Sequence, residues 1–461
     1  MEKLNVCLLN DSFPPLIDGV ANAVVNYATV IQEKYGNAVV ATPDYPGAED
    51  NYPFEVCRYR SLDTTRLVGY RAGYPFSSRA LTSIGEFKPD ILHCHCPAMS
   101  QMFARTLRET LQVPLILTYH TKFDLDVARA VKTKMLQTTA IKAFANNISA
   151  SDEVWVVSKG AGENLRTLGY EGDYRVMHNG VDFPKGRVSP EECLRLRKEL
   201  GIGDETIFLF VGRMYWYKGV RLSFDGLART KAAGYRFKMV LVGEGGDLEE
   251  MKNYAESVGI GGDCIFTGPV RDRQLLRSYF CMSDLFLFPS NFDTNGIVVR
   301  EAAACSVPSV TLKGSCAAED ITDGETGIVI DETPEAMSAV TNWACEHREE
   351  LRTLGQKALA GLYTSWEDAV GVAYERYQVV LDDFRSGRLV RKSVPFDDIF
   401  TVVSDFYSVS RKTSLKSSEI WNKLRRREPS SGASPDLPEG RVKKHRKSHG
   451  RWKKKAEKTK N

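Results

Sequence analysis

The stretch Ile207-Phe-Leu-Phe-Val-Gly-Arg-Met-Tyr-Trp-Tyr-Lys-Gly219 decides the fold class of this chain. Its first five residues are continuously apolar, which predicts a strand covered on both faces, as in a parallel sheet flanked by helices. The strand ends at a glycine, and Arg213, Lys218 and a second glycine follow it. Because ligands bind beyond the carboxyl ends of strands in open parallel sheets, this loop is a candidate binding site.

The same rhythm of short apolar strands and longer helical patterns runs through most of the chain. A first series of strands is predicted at Asn5–Leu9, Ala38–Thr42, Val56–Tyr59, Asp90–His93, Pro114–Thr118, Glu153–Val157 and Arg175–Met177. A second series is predicted at Ile207–Val211, Lys238–Val242, Cys264–Phe266, Leu285–Phe288, Ser309–Leu312 and Gly327–Ile330. Two such series predict an α/β protein with two Rossmann-like, doubly wound domains. Polar residues and glycines cluster directly after the strands, so two facing sheet edges would enclose a cleft.

The segment His178–Asp204 is the predicted domain boundary, because it opens with an Asn-Gly turn signal and is rich in proline, glycine and charge. We assign residues 1–185 to an N-terminal domain and residues 186–365 to a C-terminal domain. Residues 366–410 are predicted to form helices that pack back on the body. Residues 411–461 are predicted to form a basic, largely disordered tail.

Composition places the chain among soluble globular proteins, since 43% of its residues are hydrophobic and 26% are charged. No apolar run approaches the roughly 18–20 residues that a spanning helix needs, and the N-terminus lacks the pattern of a secretory signal. The ten cysteines are scattered, several within apolar runs, which favours reduced thiols over a disulfide framework. We therefore expect a cytoplasmic protein.

Charge is distributed unevenly along the chain. Residues 411–461 contain 18 Lys and Arg against 5 Asp and Glu, a net charge of +13. The remaining 410 residues hold 44 of the 62 basic and 54 of the 59 acidic residues, a net charge of −10. This split predicts an acidic catalytic body with a basic tail that meets an anionic partner. It disfavours a nucleic-acid-binding protein, whose body would also be basic.

Two acids and a glycine mark the segment Phe288-Pro-Ser-Asn-Phe-Asp-Thr-Asn-Gly-Ile-Val-Val-Arg-Glu301. The pattern predicts Asp293 in a loop and Glu301 in the first turns of a helix that begins near Gly296. The free N–H groups of such a helix start suit a phosphate, and the two acids suit sugar and ribose hydroxyls. An ordinary helix cap with a surface acid would have the same spacing.

The loop after the strand Ile207–Val211 carries the cations that a diphosphate needs. Arg213 offers a planar fork and Lys218 a point charge, while the flanking glycines let the backbone approach. Taken alone, this loop would be explained better by exposed surface cations than by a diphosphate site.

Several further motifs stand in order along the chain: the Gly19 loop, Tyr119-His-Thr121, Asn179-Gly-Val-Asp182, Arg213-x4-Lys218-Gly219, Gly243-Glu-Gly245 and Asp293-x7-Glu301. Together they resemble the large family of retaining glycosyltransferases with the GT-B fold, of the group 1 and family 4 type, over nearly all of residues 1–385. The resemblance implies that the C-terminal domain binds a nucleotide-sugar donor and that the N-terminal domain binds the acceptor.

The resemblance also implies roles for individual residues. Arg213 and Lys218 would hold the diphosphate, Glu301 the ribose, and Asp293 and His120 the sugar. The residues it assigns to catalysis are His120, Arg213, Lys218 and Asp293. Those it assigns to donor binding are Gly19, Gly243, Glu244, Val270, Asn295, Gly296, Ile297 and Glu301. No cofactor or metal is implied beyond a UDP- or GDP-linked sugar, because cations and a helix end stabilise the departing diphosphate.

The chain departs from the family pattern at three positions. Asp293 stands where the family usually has Glu, Asn295 where it has an aromatic residue, and Asp18 where it has a second glycine. Since the side chain of Asp293 is one methylene shorter than that of Glu, its carboxylate would meet the sugar at a different place. The family pattern therefore does not identify the donor sugar or base.

The string His93-Cys-His-Cys96 has the residue types of a zinc site. Residues alternate across a strand, so both histidines face one way and both cysteines the other, which argues against four ligands from this string. The longer pattern His93-x-His95-x-Pro97, followed by Thr118-Tyr-His-Thr121, resembles the branch of the family that glycosylates membrane lipids such as diacylglycerol or phosphatidylinositol. The resemblance implies a membrane glycerolipid as acceptor.

The C-terminal residues carry two further predictions. Phe396, Phe400 and their neighbours in 395–409 predict a helix with one apolar stripe that docks on the folded body. The tail from Arg411 is predicted to attach the protein to an anionic membrane surface, on the cytoplasmic face, because each basic residue near such a surface contributes about 1 kcal/mol. RNA binding or simple solubilisation are the alternatives for this tail.

The sequence leaves two alternatives to transfer onto a glycerolipid. In the first, the acceptor is a cell-envelope polysaccharide or a small molecule. In the second, the enzyme is a sugar-nucleotide epimerase of the same fold. Gly243-Glu-Gly-Gly246 is weak evidence for an oxidoreductase, since it follows a late strand and the first strand leads to no G-x-G-x-x-G.

Overall fold

A computed structural model describes residues 2–16, 18–120, 123–130, 132–294, 296–389 and 397–405. Within these residues the chain forms a seven-stranded and a six-stranded sheet, both parallel throughout, and a two-stranded antiparallel ribbon. The predicted fold class, two Rossmann-like α/β domains, is confirmed. The ribbon was not predicted, because two residues per strand are too few for a periodic signal.

The first sheet lies in the N-terminal half, with strand order β3-β2-β1-β6-β7-β8-β9, and the ribbon pairs β4 with β5. The strands are β1 (Asn5–Leu9), β2 (Asn37–Pro43), β3 (Glu55–Tyr59), β4 (Ser61–Leu62), β5 (Ala72–Gly73), β6 (Ile91–Cys94), β7 (Leu115–Tyr119), β8 (Glu153–Val156) and β9 (Arg175–Val176). The helices of this half are α1 (Gly19–Val30), α2 (Thr65–Val68), α3 (Ser78–Phe87), α4 (Met99–Leu111), α5 (Phe123–Ala130), α6 (Lys134–Ser149) and α7 (Lys159–Thr167), and a π-helical turn, Ile31–Tyr35, follows α1.

The second sheet lies in the C-terminal half, with strand order β12-β11-β10-β13-β14-β15. Its strands are β10 (Thr206–Val211), β11 (Phe237–Val242), β12 (Cys264–Gly268), β13 (Leu285–Leu287), β14 (Ser309–Leu312) and β15 (Ile328–Ile330). The helices are α8 (Pro190–Glu199), α9 (Val220–Ala232), α10 (Leu248–Ser257), α11 (Arg273–Met282), α12 (Ile297–Ala304), α13 (Pro334–Glu346), α14 (Arg348–Leu362) and α15 (Trp366–Arg385). Short 3₁₀ turns occupy Trp216–Lys218, Gly261–Asp263 and Cys316–Ala318.

The strands are continuously apolar because helices cover both faces of each sheet. In β1, Val6 and Leu8 pack with α1 and α15, whereas Cys7 and Leu9 pack with α3 and α4 on the other face. Every residue of β10 is buried as well.

Strand order places the ligand-binding edge of the second sheet. Chain order reverses at β10, which lies between β11 on one side and β13 on the other. Loops that leave neighbouring strands in opposite directions open a crevice beyond the carboxyl ends of the strands. The loops that follow β10 and β13 contain Arg213, Lys218, Asp293 and Gly296.

The last described helices return to the N-terminal half. On α15, Tyr377 stacks on Trp155 of β8, and the hydroxyl of Tyr374 accepts a hydrogen bond of 2.7 Å from the Leu4 N–H. Residues 397–405 are helical, with Phe400 3% exposed beneath the Arg105 guanidinium and Asp397 2.8 Å from that guanidinium. The predicted basic tail, 411–461, lies outside the described residues. In the part of the chain that the structure describes, no helix is long and apolar enough to cross a membrane.

Candidate active site

The loops after β10 and β13 interlock through a glycine. Gly219 adopts a φ of 79°, and a Cβ atom there would lie 1.8 Å from the carbonyl oxygen of Pro289. Only glycine tolerates both the positive φ and this approach. The close contact brings the 3₁₀ turn Trp216–Lys218 against the loop that carries Asp293.

Lys218 and Asp293, both predicted from the sequence, form one ion pair. The Lys218 Nζ donates to Asp293 Oδ1 at 2.6 Å, and the Ser290 hydroxyl donates to Oδ2 at 2.7 Å. Only 8% of Lys218 is exposed. Its ammonium group also lies 5.6 Å from the centre of the Phe292 ring, a cation–π distance. Each carboxylate oxygen is therefore fixed by a donor, which orients the group.

Arg213 is the cation that stays accessible. Its side chain is exposed, with the guanidinium carbon 6.0 Å from the centre of the Tyr215 ring. It makes no ion pair with an acid in the described ranges, unlike Lys218. An exposed guanidinium at the end of β10 has its five N–H donors available to an anion.

Gly296 is the N-cap residue of helix α12 and has a φ of 55° and a ψ of 43°. No side chain caps this start, so its first N–H groups are not committed to a cap. Ile297 is the first residue of the helix and packs against the core of the second sheet. Asn295 lies outside the described residues.

Glu301 lies one turn into α12 and is 6% exposed. Arg273, at the start of α11, donates to its Oε1 at 2.6 Å. Burial raises the pKa of Glu301, while the charge and hydrogen bond of Arg273 lower it. Sequence reasoning missed Arg273, because no motif contains it and a pair 28 residues apart leaves no periodic signal.

The remaining donor-side residues lie at the ends of β11 and β12. The Gly243 N–H donates to the Gly268 carbonyl at 2.9 Å, and the Glu244 carbonyl accepts from the Met214 N–H at 2.9 Å. The backbone of Glu244 thus holds the Arg213 loop, while its side chain is exposed. Val270 packs partly buried against the core.

His120 follows β7 on the opposite wall of the cleft. It is 7% exposed, stacks on His95, and its Nε2 lies 2.9 Å from His95 Nδ1. Burial lowers the pKa of His120 to about 3, so the ring is neutral at physiological pH. It can offer a hydrogen bond but does not exchange a proton near neutral pH.

The two walls meet at Thr294, next to Asp293. The Thr294 hydroxyl donates to the His120 carbonyl at 2.7 Å, and the Ser158 hydroxyl donates to the Thr294 carbonyl. Nearby, the Glu319 carboxylate accepts from the N–H groups that begin α7, at 2.7 Å from Lys159. These contacts join the N-terminal wall to the loop that holds the predicted catalytic acid.

The start of α1 differs from the expectation for Gly19. Asp18 Oδ1 accepts hydrogen bonds from Val20 N at 2.9 Å and Ala21 N at 2.7 Å. A carboxylate in the N-cap position therefore occupies the Val20 and Ala21 amides, which directly follow Gly19, the residue expected to bind the donor. This is a direct consequence of Asp standing where the family has glycine.

His93, Cys94 and His95 are buried in the N-terminal half, where they pack against neighbouring side chains. His93 Nδ1 lies 2.6 Å from the Tyr377 hydroxyl and Nε2 lies 2.7 Å from the Thr118 hydroxyl, so both ring nitrogens have partners. The His95 ring lies tilted against the His93 ring, with ring centres 4.0 Å apart, while Cys94 packs on the other face of the sheet with α3 and α4. Among the described residues, no group of three or more His, Cys, Asp or Glu has metal-binding geometry.

Two family models match adjoining parts of the chain. The model for Glycosyltransferase Family 4 matches residues 17–184, and the model for Glycosyl transferases group 1 matches residues 194–360. The chain belongs to these glycosyltransferases. Together the two matches span both walls of the cleft, and the enzyme class follows from them.

Curated relatives are similar over about two thirds of the chain. The alpha-monoglucosyldiacylglycerol synthase of Streptococcus pneumoniae is 24% identical over 67% of this chain and 70% of its own length. The sulfoquinovosyl transferase SQD2 of Arabidopsis thaliana is 25% identical over 68% of this chain and 60% of its own length. A GDP-mannose-dependent alpha-mannosyltransferase of Corynebacterium glutamicum is 25% identical over 74% of this chain and 81% of its own length.

Solved structures share the GT-B architecture at low identity. The Anabaena Alr3699/HepE protein in complex with UDP aligns with a TM-score of 0.64 and 16% identity, over 82% of this glycosyltransferase and 100% of that chain. The sucrose-phosphate synthase of Thermosynechococcus elongatus aligns with a TM-score of 0.64 and 18% identity, over the same 82% and 100%. At this identity the likeness establishes the fold of the glycosyltransferase.

Proposed function

We propose that this enzyme is a retaining glycosyltransferase that moves a sugar from a UDP- or GDP-linked donor to a glycerolipid at the cytoplasmic face of a membrane. The observation that carries the donor half is the arrangement at the reversal point of the second sheet. There a buried lysine–aspartate pair, an accessible arginine and an uncapped helix start lie at the ends of adjacent strands.

For donor binding, we propose a role for each of these groups. Arg213, Lys218 and the N–H groups after Gly296 take the negative charge that develops on the departing diphosphate. Glu301 accepts hydrogen bonds from the ribose hydroxyls, and Asp293 does so from the sugar. Val270, with Gly243 and Glu244, lines the side on which the base lies. Because these cations are supplied by the chain, no metal ion is required.

Transfer with retention needs no protein nucleophile. The acceptor oxygen forms a bond to the anomeric carbon on the face from which the diphosphate leaves, and a phosphate oxygen takes the acceptor proton. His120 contributes a neutral hydrogen-bonding edge to the sugar, which fits its low pKa. The protein's contribution is positioning and electrostatic stabilisation.

The acceptor half rests on a surface of the N-terminal domain. At the start of α6, residues 132–136 are all exposed; Met135 is 73% and Leu136 53% exposed, beside Lys132 and Lys134. Leu62 in the ribbon is 74% exposed. Apolar side chains flanked by lysines suit the interface of an anionic membrane, where the former insert and the latter meet phosphate. The lipid named in the pneumococcal relative supports the same acceptor class.

The tail adds charge to this attachment. Arg441–Lys460 contains eleven basic residues around Trp452. Several engaged at about 1 kcal/mol each suffice for reversible binding to an anionic surface. Attachment would therefore combine the exposed start of α6 with the tail, and it would weaken as salt rises.

The experiment combines donor and acceptor. Full-length enzyme is incubated with radiolabelled UDP-glucose, UDP-galactose or GDP-mannose and with vesicles of anionic phospholipid containing diacylglycerol or phosphatidylinositol. We expect one donor to label the lipid fraction, with the anomeric configuration of the donor retained. Label that appears only in a water-soluble acceptor would favour the polysaccharide or small-molecule alternative, and epimerised donor without transfer would favour the epimerase.

The membrane claim has its own control. A variant that lacks residues 411–461 and a Met135→Ser/Leu136→Ser variant should each sediment less with anionic vesicles, while binding soluble donor as the wild type does. Full-length enzyme that ignores anionic vesicles at low salt would contradict peripheral attachment.

A further inference from the structure

Glu301 is held by an arginine that no motif contains. Arg273 Nη2 donates to Oε1 at 2.6 Å, and 8% of the Glu301 side chain is exposed. No residue in the described ranges hydrogen-bonds Oε2. One carboxylate oxygen is thus committed to Arg273, and the other is left as an acceptor.

Arg273 also contacts Asp182 and Phe183, which lie in the segment that joins the two domains (the joining segment). Its guanidinium carbon lies 4.4 Å from the centre of the Phe183 ring, and Nη2 lies 3.5 Å from Asp182 Oδ2. Phe183 is 2% exposed, so it is a rigid platform. Asp182 in turn accepts from Asn26 of α1 at 3.1 Å. The contacts form a continuous path from α1 through the joining segment to the donor site.

The charge of Glu301 depends on this neighbour. Burial raises the pKa of the carboxyl, and the negative charge of Asp182 raises it further. Arg273 is the group that lowers it, by its charge and by its hydrogen bond. These are the charged groups that act on Glu301 from the elements packed against it, α11 and the joining segment.

We infer that Arg273 is a positioning residue of the donor site, which orients the Glu301 carboxylate and ties it to the joining segment at Asp182 and Phe183. The inference rests on the proposed role of Glu301 as acceptor of the ribose hydroxyls. With Oε1 held, Oε2 has a defined direction towards a bound nucleoside.

The test measures nucleotide affinity by calorimetry on the full-length enzyme, using UDP, GDP or ADP, whichever binds most tightly. Arg273→Gln should raise the Kd about tenfold near pH 7.5, since the Glu301 carboxylate loses the charged donor that orients it. Arg273→Lys should lose less, because the charge stays while the planar fork is removed. In turnover assays, the donor KM should rise more than kcat falls.

The pH dependence gives a readout that mere structural support would not change. A carboxylate loses affinity for hydroxyl donors as pH falls through its pKa. Since Gln in place of Arg273 removes the group that lowers this pKa, the acid loss of affinity should begin at a higher pH in Arg273→Gln than in the wild type or Arg273→Lys.

Two further variants complete the design. Arg229→Gln is the control variant, because it breaks a surface ion pair in the same domain, in which Arg229 Nη2 lies 2.6 Å from Glu335 Oε1. It should bind nucleotide as the wild type does. The double variant Arg273→Gln/Glu301→Gln should bind no more weakly than Glu301→Gln alone, because Arg273 acts through Glu301.

The outcomes separate the two proposals. Unchanged affinity in Glu301→Gln would remove the ribose role and the inference with it. Weakened binding in Glu301→Gln, together with wild-type affinity and pH dependence in Arg273→Gln, or with losses that add in the double variant, would overturn the Arg273 inference alone. If Arg273→Gln fails to fold, Arg273→Lys decides: wild-type affinity there overturns the inference.

Discussion

The ammonium group of Lys218 lies 2.6 Å from Oδ1 of Asp293. One side chain follows β10 and the other follows β13, the two strands between which chain order reverses. A cation proposed for the diphosphate and an acid proposed for the sugar are therefore neighbours. The proposed roles therefore place protein groups for both sides of the breaking bond next to each other.

Lys218→Met should lower kcat by about a hundredfold or more, because it removes a charge aimed at the departing diphosphate and releases one oxygen of Asp293. The apolar stem is kept, so loss of packing is small. Steady-state kinetics with donor in excess measures the effect. Lys252→Met, which breaks the surface pair with Glu249, is the matched control and should leave kcat unchanged.

Arg213→Ala should reduce turnover by a similar factor while leaving the melting temperature within about 2 °C of the wild type, because the side chain is exposed and unpaired among the described residues. Calorimetric melting and kinetics on the same preparation separate the two effects. Wild-type turnover in a folded Arg213→Ala enzyme would remove Arg213 from the anion site.

Stability should fall as pH drops below about 6.5. Burial lowers the pKa of His93, His95 and His120 below the ordinary 6.5, so the unfolded chain binds more protons than the folded one in acid. The stabilisation is present above pH 6.5 and is lost as pH falls from there, by up to about 1.4 kcal/mol per pH unit and histidine. Urea unfolding at pH 7.5 and 5.5 measures this slope. His120→Gln should flatten it, and an identical slope in that variant would show that His120 is protonated in the folded enzyme.

Chelator should leave transfer largely intact. In the proposed site the positive charge comes from Arg213, Lys218 and the start of α12, so dialysis against EDTA should change kcat less than about twofold. Complete loss of activity that zinc or manganese restores would contradict the metal-free site and would favour a metal site at His93–Cys96.

The amino-acid sequence determined the layered architecture of this glycosyltransferase. Continuous apolar runs such as Ile207–Val211 are stable only when both faces are covered, which requires helices on two sides of a parallel sheet. The same local signals, glycines and charges close after strands, also singled out Arg213, Lys218, Asp293 and Glu301 as candidate site residues. These features depend on residues close together in the chain, where periodicity and turn chemistry act.

Tertiary structure alone decided which groups pair. Arg273 reaches Glu301 across 28 residues, and Thr294 meets His120 across 174, because packing of helices and loops sets those distances. Asp18 was visible as a departure from the family pattern, but only the backbone geometry of α1 turned its carboxylate onto Val20 N and Ala21 N. Side-chain partners far apart in sequence are chosen by where the fold places them, and spacing along the chain carries no record of that choice.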